Sequence, residues 1–149
     1  MKAFAAIAIV LSVFFIIPHS VRAQIWTQTH APAHNWEGVA CSADGSKLAV
    51  VGMSVNAIGT SPDAGNTWAS NTVPAYEWWN VASSADGTKL IAVAAYNGNV
   101  IYTSTDSGAT WTSNNVSPYA WFSVASSADG TKLVAWLAVD KSWDRFIPQ

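Results

Sequence analysis

Three short segments of the chain carry the residues best suited to bind a ligand. They span 30–36, 73–79 and 116–121, and each holds a proline, a tryptophan and a preceding tyrosine or histidine. Aromatic rings of this kind stack on sugar rings or aromatic ligands, and neighbouring carboxylates accept hydrogen bonds. The pattern favours non-covalent binding. The side chains that we expect to contact a ligand are Tyr76, Glu77, Trp78, Tyr119, His34 and Glu37.

Other chemistries fit these residues poorly. His30 and His34 are four residues apart, but Pro32 between them prevents the helix that would align both on one metal ion. We therefore predict no metal site and no cofactor. No Ser/His/Asp set, phosphate-binding glycine loop or cysteine pair stands out in the sequence. We predict that the chain is not an enzyme and has no catalytic residue.

The composition excludes several classes of protein. Of the 149 residues, 50% are hydrophobic and 11% are charged, with nine Trp and one Cys. Such a chain is neither a disordered tail nor a disulfide scaffold, and a net charge of −2 disfavours a nucleic-acid partner. Cys41 has no intrachain partner for a disulfide. We expect a buried small residue there, with a thiol that pairs between chains as the alternative.

The first 23 residues predict a secretory signal peptide. Lys2 supplies a positive charge, residues 3–17 are apolar apart from Ser12, and Ala23 suits cleavage by a signal peptidase. The alternative is an uncleaved anchor, but fifteen helical residues reach only about 22 Å, short of a hydrocarbon core of about 30 Å. We expect a secreted, periplasmic or extracellular protein that does not contact a membrane after cleavage.

An internal repeat organises the rest of the chain. Residues 36–48 recur at 78–90 and 121–133, and each copy contains Val-Ala-x-Ser-Ala-Asp-Gly-x-Lys-Leu. Between the copies a second element recurs, Ser-x-Asp-x-Gly-x-Thr-Trp, at 61–68 and 104–111. A repeat of about 42 residues indicates one supersecondary unit that stacks on copies of itself.

Each repeat is typical of four short antiparallel strands. In the second copy we predict strands at about 79–84, 88–96, 99–105 and 110–114, joined by tight turns that contain Asp, Asn and Gly. Residues 89–95 do not alternate between apolar and polar, so this strand should be covered on both faces. A four-stranded meander that needs such cover is typical of a propeller blade.

The Ser-x-Asp-x-Gly-x-Thr-Trp element resembles the Asp-box. The chain is similar to the Asp-box, or bacterial neuraminidase repeat, β-propellers, which include sortilin-like receptors and photosystem II assembly factors. That resemblance implies an all-β fold in which the box is a structural hairpin between third and fourth strands. A calcium site is not expected, because one carboxylate per turn cannot build a six-oxygen site. The box positions are Ser61, Asp63, Gly65, Thr67 and Trp68, then Ser104, Asp106, Gly108, Thr110 and Trp111.

We expect about two complete four-stranded blades with partial blades at both ends. The predicted units are an outer strand with its link at 24–35, blade 1 at 36–77, blade 2 at 78–120 and an incomplete blade 3 at 121–149. Three blades cannot close a ring, since propellers carry four to eight. Two explanations fit equally well: a homo-oligomer completes the ring, or the sequence is truncated or frame-disrupted after Ala138.

The segments that link the blades are the expected ligand-binding face. In a meander the first and third hairpins share one end, so the links lie at the other end. Trp36, Trp79 and Trp121 each begin an inner strand, and we expect them to pack between blades instead.

The sequence thus predicts an exported module that binds a glycan or a protein, with a vestigial fragment that has no ligand as the alternative. A sialidase-like glycosidase is disfavoured. The resemblance implies three arginines around the substrate carboxylate, and Arg145 is the only arginine after residue 23.

Overall fold

The computed structural model describes residues 28–53, 57–95, 98–116 and 119–137. These residues form ten strands and no helix, arranged as two four-stranded sheets and one two-stranded sheet, all antiparallel. The all-β prediction is confirmed. The predicted signal peptide and the divergent residues after Ala138 lie outside the described part of the chain, so both interpretations stay predictions.

The strand bounds follow the repeat. The first sheet contains β1 (Trp36–Cys41), β2 (Leu48–Gly52), β3 (Ile58–Ser61) and β4 (Ala69–Ser70), in that order. The second sheet contains β5 (Glu77–Ser83), β6 (Leu90–Ala95), β7 (Ile101–Ser104) and β8 (Thr112–Asn114), in that order. The third sheet pairs β9 (Trp121–Ser126) with β10 (Leu133–Leu137). The four strands predicted for the second repeat are confirmed, with ends that differ by at most two residues.

Apolar side chains fill the two spaces between neighbouring sheets. All six residues of β6 are buried, as predicted from the lack of alternation. One buried cluster joins the first sheet to the second and includes Val51, Ile58, Trp78 and Val81. A smaller cluster joins the second sheet to the third through Ile91, Val93, Ile101 and Val124. The middle sheet is therefore covered on both faces.

The first strands of the three sheets lie side by side and run in the same direction. The Ala43 N–H donates to the Ala85 carbonyl at 2.7 Å, and the Ala85 N–H donates to the Ala128 carbonyl at the same distance. These alanines occupy equivalent repeat positions just after β1, β5 and β9. At the other end of the strands, the rings of the equivalent residues Trp79 and Phe122 are 5.2 Å apart. Equivalent ends of these strands therefore meet.

Two kinds of turn occupy one end of this arrangement, the turn end. We call 42–45, 84–87 and 127–130 the SADG turns, and 61–68 and 104–111 the SxDxGxTW turns. The Ala64 N–H donates to the Ser46 carbonyl at 2.7 Å, next to the first SADG turn. The Ser107 N–H makes the equivalent bond to Thr88 at 2.8 Å. The predicted placement of both turns at one end is confirmed.

The SxDxGxTW turns are held by their own side chains. In the second turn, the Thr110 N–H donates to the Asp106 carboxylate at 2.9 Å, and the Gly108 N–H donates to Ser104 Oγ at 2.9 Å. The Trp111 indole N–H donates to the Gly108 carbonyl at 3.0 Å. Gly108 has a φ of 88°, a backbone angle that residues other than glycine rarely adopt. The first turn repeats all of these contacts.

Two expectations differ from the described structure. The prediction that Cys41 is buried is wrong: the thiol is exposed, because no sheet covers that face of β1 among the described residues. In the second hairpin of the second sheet, Asn99 and not Gly98 takes the positive φ, at 51°. Residues 28–35 form no strand, and 24–27 lie outside the described residues, so the predicted outer strand stays a prediction.

Two glycines at the same turn position make it possible to compare the cost of backbone strain with the cost of packing between the sheets. Gly45 and Gly87 occupy the same turn position with φ of 72° and 69°. A Cβ on Gly87 would lie 2.8 Å from Cδ of Lys47, whereas a Cβ on Gly45 would meet nothing within 4 Å. Both Gly→Ala variants lose about 1 kcal/mol from the left-handed backbone, and Gly87→Ala loses about 1–3 kcal/mol more from overpacking.

Urea unfolding of both variants in dilute solution measures this difference. Equal losses of stability in Gly45→Ala and Gly87→Ala would show that the second SADG turn does not pack tightly on the first sheet.

Candidate functional site

The first residues of β1, β5 and β9 share the end of the sheets opposite the turns, the link end, because these strands lie side by side in the same direction. Of the predicted ligand contacts, His34, Tyr76 and Tyr119 precede these strands. Glu37, Glu77 and Trp78 lie within the first two residues of β1 and β5. The structure does not bring all of those side chains to the surface.

Trp78 is buried in the core and is not available to a ligand. Its side chain is fully buried, and its ring lies edge-on to Tyr102 at 5.3 Å. The placement of Trp78 as a ligand contact is therefore corrected. The link positions alone suggested an exposed ring, but the bulge in β5 between Trp78 and Asn80 changes which side chains face the core.

Tyr76 belongs to the same aromatic cluster. Its ring is half-buried and lies 5.7 Å from Trp78 and 6.3 Å from Tyr102, edge-on to both. It also packs against Gly98, where a Cβ would come within 2.7 Å of the Tyr76 ring. Burial, followed by the charge and hydrogen bond of Tyr102, raises the pKa of Tyr76. The packing makes Tyr76 primarily a structural residue.

Four of the predicted contacts keep accessible surface at the link end. Tyr119 is 51% exposed just before β9, and His34 and Glu37 are exposed at the start of β1. Glu77 is half-buried as the first residue of β5. The imidazole of His34 lies edge-on to Trp36 at 5.1 Å. This end therefore combines an exposed phenol, an imidazole and two carboxylates.

Sequence reasoning missed a bulge that recurs near the start of each inner strand, and with it Phe122. In each sheet the pairing of the first two strands shifts by one residue, and the residue passed over is Glu37, Trp79 or Phe122. Trp79 and Phe122 contact each other, and the Phe122 ring lies 6.0 Å from Trp136 on β10. Their shared position in the repeat was the available signal. A bulge redirects a side chain, but it is not visible in a single sequence.

The three tryptophans expected to pack between sheets are all half-buried. Trp121 packs on the cluster between the second and third sheets. The Trp36 indole N–H donates to the Pro32 carbonyl at 2.9 Å, which ties the first link to β1.

The carboxylates at the turn end are engaged in local hydrogen bonds. Donors from Thr110, and then Ser104, lower the pKa of Asp106 to about 2. Hydrogen bonds led by Ser42 and by Ser127 lower the pKa values of Asp44 and Asp129 to about 2. Asp63 and Asp86 shift in the same direction through their own turns. Such carboxylates stay ionised and serve the turns, so they make poor proton donors at neutral pH.

The described residues contain no group of three or more His, Cys, Asp or Glu side chains placed to hold a metal ion. They also include no helix with the length and hydropathy needed to cross a membrane.

Comparisons with known proteins give matches among solved structures alone. No family model and no curated protein matches the chain. YCF48 from Cyanidioschyzon merolae is 19% identical with a TM-score of 0.55, over 74% of this chain and 39% of that chain. YCF48 bound to a D1 peptide is 18% identical with a TM-score of 0.52, over 73% and 42%. The GH74 enzyme from Niastella koreensis is 23% identical with a TM-score of 0.52, over 67% and 14%.

These neighbours are β-propellers. The chain is built of β-propeller blades. Its first and second sheets are four-stranded blades, and its third sheet is part of a blade, as predicted. The chain spans less than half the length of each of these structures. At these identities the likeness concerns the fold.

Acid should destabilise the blades through the turn carboxylates. A carboxyl group with a lower pKa in the folded state contributes stability above its unfolded pKa, and that contribution disappears as pH falls through the folded value. With folded pKa values of about 2 for Asp44, Asp106 and Asp129, the urea midpoint should be constant above about pH 5 and fall between about pH 4 and 2.

The Asp106→Asn variant is the control, since its side chain accepts hydrogen bonds but does not titrate. Its midpoint should fall less over the same pH range. A midpoint that stays level down to pH 2 in the unmodified chain would contradict the role of these turns.

Truncation of Trp78 and of Tyr119 should separate structural from accessible aromatic residues. Trp78→Ala should destabilise the fold by about 3–5 kcal/mol, because it empties a packed site. Tyr119→Ala should change stability by no more than about 0.5 kcal/mol, because half of its surface faces solvent. Urea unfolding of both variants measures the difference, and similar losses would refute this division of roles.

Proposed function

We propose that the chain is an exported, non-catalytic β-propeller module that binds its ligand at the link end. The observation that carries the proposal is the contrast between the two ends. At the turn end the carboxylates are engaged in hydrogen bonds within the turns, whereas the link end exposes Tyr119 on the third blade and His34 and Glu37 on the first. An exposed aromatic ring with nearby hydrogen-bonding groups suits a sugar ring or a peptide side chain.

The binding contacts in this proposal are Tyr119, His34, Glu37 and Glu77. Tyr76 and Trp78 have a structural role here, in the aromatic cluster that they form with Tyr102. The SxDxGxTW turns are Asp-boxes in this interpretation and have a structural role. Their five defined positions make the same hydrogen bonds in both copies, which supports that assignment.

A glycan is the first ligand class to test, and a peptide is the second. The peptide is favoured by one comparison, since a YCF48 structure of the same fold holds a D1 peptide. The similar GH74 protein is an enzyme, but this chain covers only 14% of it. A vestigial fragment with no ligand is the competing proposal.

Glycan and peptide arrays probed with the purified chain test the binding function. Tyr119→Ala should weaken any specific signal about tenfold or more, because a central aromatic contact typically contributes above 1 kcal/mol. Tyr119→Phe retains the ring and should retain most of the binding. The folded state of both variants is checked by urea unfolding.

Two results would contradict the proposal. Arrays without a reproducible signal would favour the vestigial fragment, and binding that is equal in the Tyr119→Ala variant would place the ligand elsewhere. Release of a sugar from an arrayed glycan would replace the binding function with a glycosidase function.

A further inference from the structure

The two outer faces of the described blades expose residues that are buried at every equivalent internal position. Val39, Val81 and Val124 occupy the same place on β1, β5 and β9. Val81 faces the first blade and is 3% exposed, and Val124 faces the second blade and is 8% exposed. Val39 is 71% exposed, since no described blade precedes it. We call this face of the first blade the leading face.

The opposite outer face also exposes residues whose equivalents in the other blades are buried. Val134 and Trp136 on β10 are 65% and 56% exposed. Their equivalents in the first and second blades face the next blade and are at most 3% exposed. We call this face of the third blade the trailing face. The equivalents are Ala49 and Val51 in the first blade and Ile91 and Val93 in the second.

Lysine side chains also make repeated contacts between blades, each reaching from one blade to the next along the chain. The Lys47 side chain packs over Gly87, and the Lys89 side chain packs over Gly130, with ideal Cβ positions 2.8 Å and 2.7 Å from the respective Cδ atoms. The amine of Lys89 donates to the Asp129 carbonyl at 2.7 Å. On the trailing face the next lysine is Lys132, which is exposed. On the leading face the next glycine is Gly45, which has open space around it.

We propose that a second copy of this chain docks its leading face on the trailing face of the first. The strands β1 and β10 carry the equivalents of residues that meet at both interfaces between blades within the chain, which identifies the occupant. Lys132 would then pack over Gly45 of the second copy, and Val134 and Trp136 would cover its Val39. The proposal deepens the assembly expected for an incomplete propeller and is independent of which ligand the link end binds.

The two faces differ, so the contact is head-to-tail. Such an interface leaves one free face on each end of a dimer, and successive copies form a ring if the rotation closes and an open assembly if it does not. An exposed apolar face on each side also accounts for the need for a partner, since large apolar patches mark interaction sites.

Two charged variants test the direction of the contact. Val39→Lys disrupts the leading face alone, and Trp136→Lys disrupts the trailing face alone. Each variant by itself should sediment as a monomer, with association weakened about tenfold or more. An equimolar mixture should form a dimer, because the intact trailing face of Val39→Lys meets the intact leading face of Trp136→Lys. The unmodified chain, expressed from its complete coding sequence, should form larger assemblies.

Three results would overturn the proposal. The unmodified chain could be a monomer at micromolar concentration, either variant could assemble like the unmodified chain, or the mixture could stay monomeric. Urea unfolding confirms that each variant is folded. Ligand binding by the monomeric Trp136→Lys variant separates the two proposals, because none of the proposed ligand contacts lies on β10.

A cysteine pair tests the register of the same contact. Ser83 and Ala49 line one cavity of about 260 Å³ between the first and second blades. Their equivalents on the outer faces are Cys41 and Val134. Val134→Cys should therefore form disulfide-linked chains under mild oxidation through Cys41 of the next copy.

The matched control places a cysteine at Ser113, which is exposed on β8 away from both faces. Ser113→Cys should give little cross-linking. Replacing Cys41 by serine in the Val134→Cys variant should remove the cross-link. Equal cross-linking by the two cysteine variants, or dimers linked through two Cys41 thiols in the unmodified chain, would overturn the head-to-tail register.

Discussion

The structure depends on one constraint: each small sheet has two apolar faces, and both must be covered. β6 shows the constraint satisfied, because every residue of that strand is buried between neighbouring sheets. β10 shows it unsatisfied, since three of its five residues are exposed among the described part of the chain. A sheet of this size cannot bury its own faces, so stability comes from stacking. Whether the stacked blades close into a ring depends on the number of blades in the assembly.

The turns explain how the blades stack in one orientation. The first and second SADG turns each donate a backbone hydrogen bond to the equivalent turn of the next blade, and Lys47 and Lys89 each pack on the glycine of that turn. The aspartates hold their turns by bonds to nearby hydroxyl and amide groups, which keeps their pKa values low. Among the described residues, the link end differs in exposing the carboxylate of Glu37 and the phenol of Tyr119.

The sequence predicted the elements well and the exposure of particular side chains poorly. Strand positions in the second repeat were correct because short apolar runs and the Asp, Asn and Gly turns that bound them are local signals. Trp78 was misplaced because a bulge in β5 determines which link residues face the core. Cys41 was expected to be buried, but it is exposed whereas its counterparts Ser83 and Ser126 are half-buried, because burial at that position depends on a preceding blade. Trp79 was expected to pack between blades and does contact Phe122 of the next blade, whereas Phe122 itself was overlooked.

The repeat by itself determined the all-β class, the size of the blade and the residues that build each turn. These properties follow from neighbours in sequence, such as the serine, aspartate and glycine of one turn. The tertiary structure alone decided which copy of a repeated residue is buried, because burial depends on the blade beside it. Val39, Val81 and Val124 have the same local sequence role, and only the stacking order distinguishes the exposed one from the two that are covered.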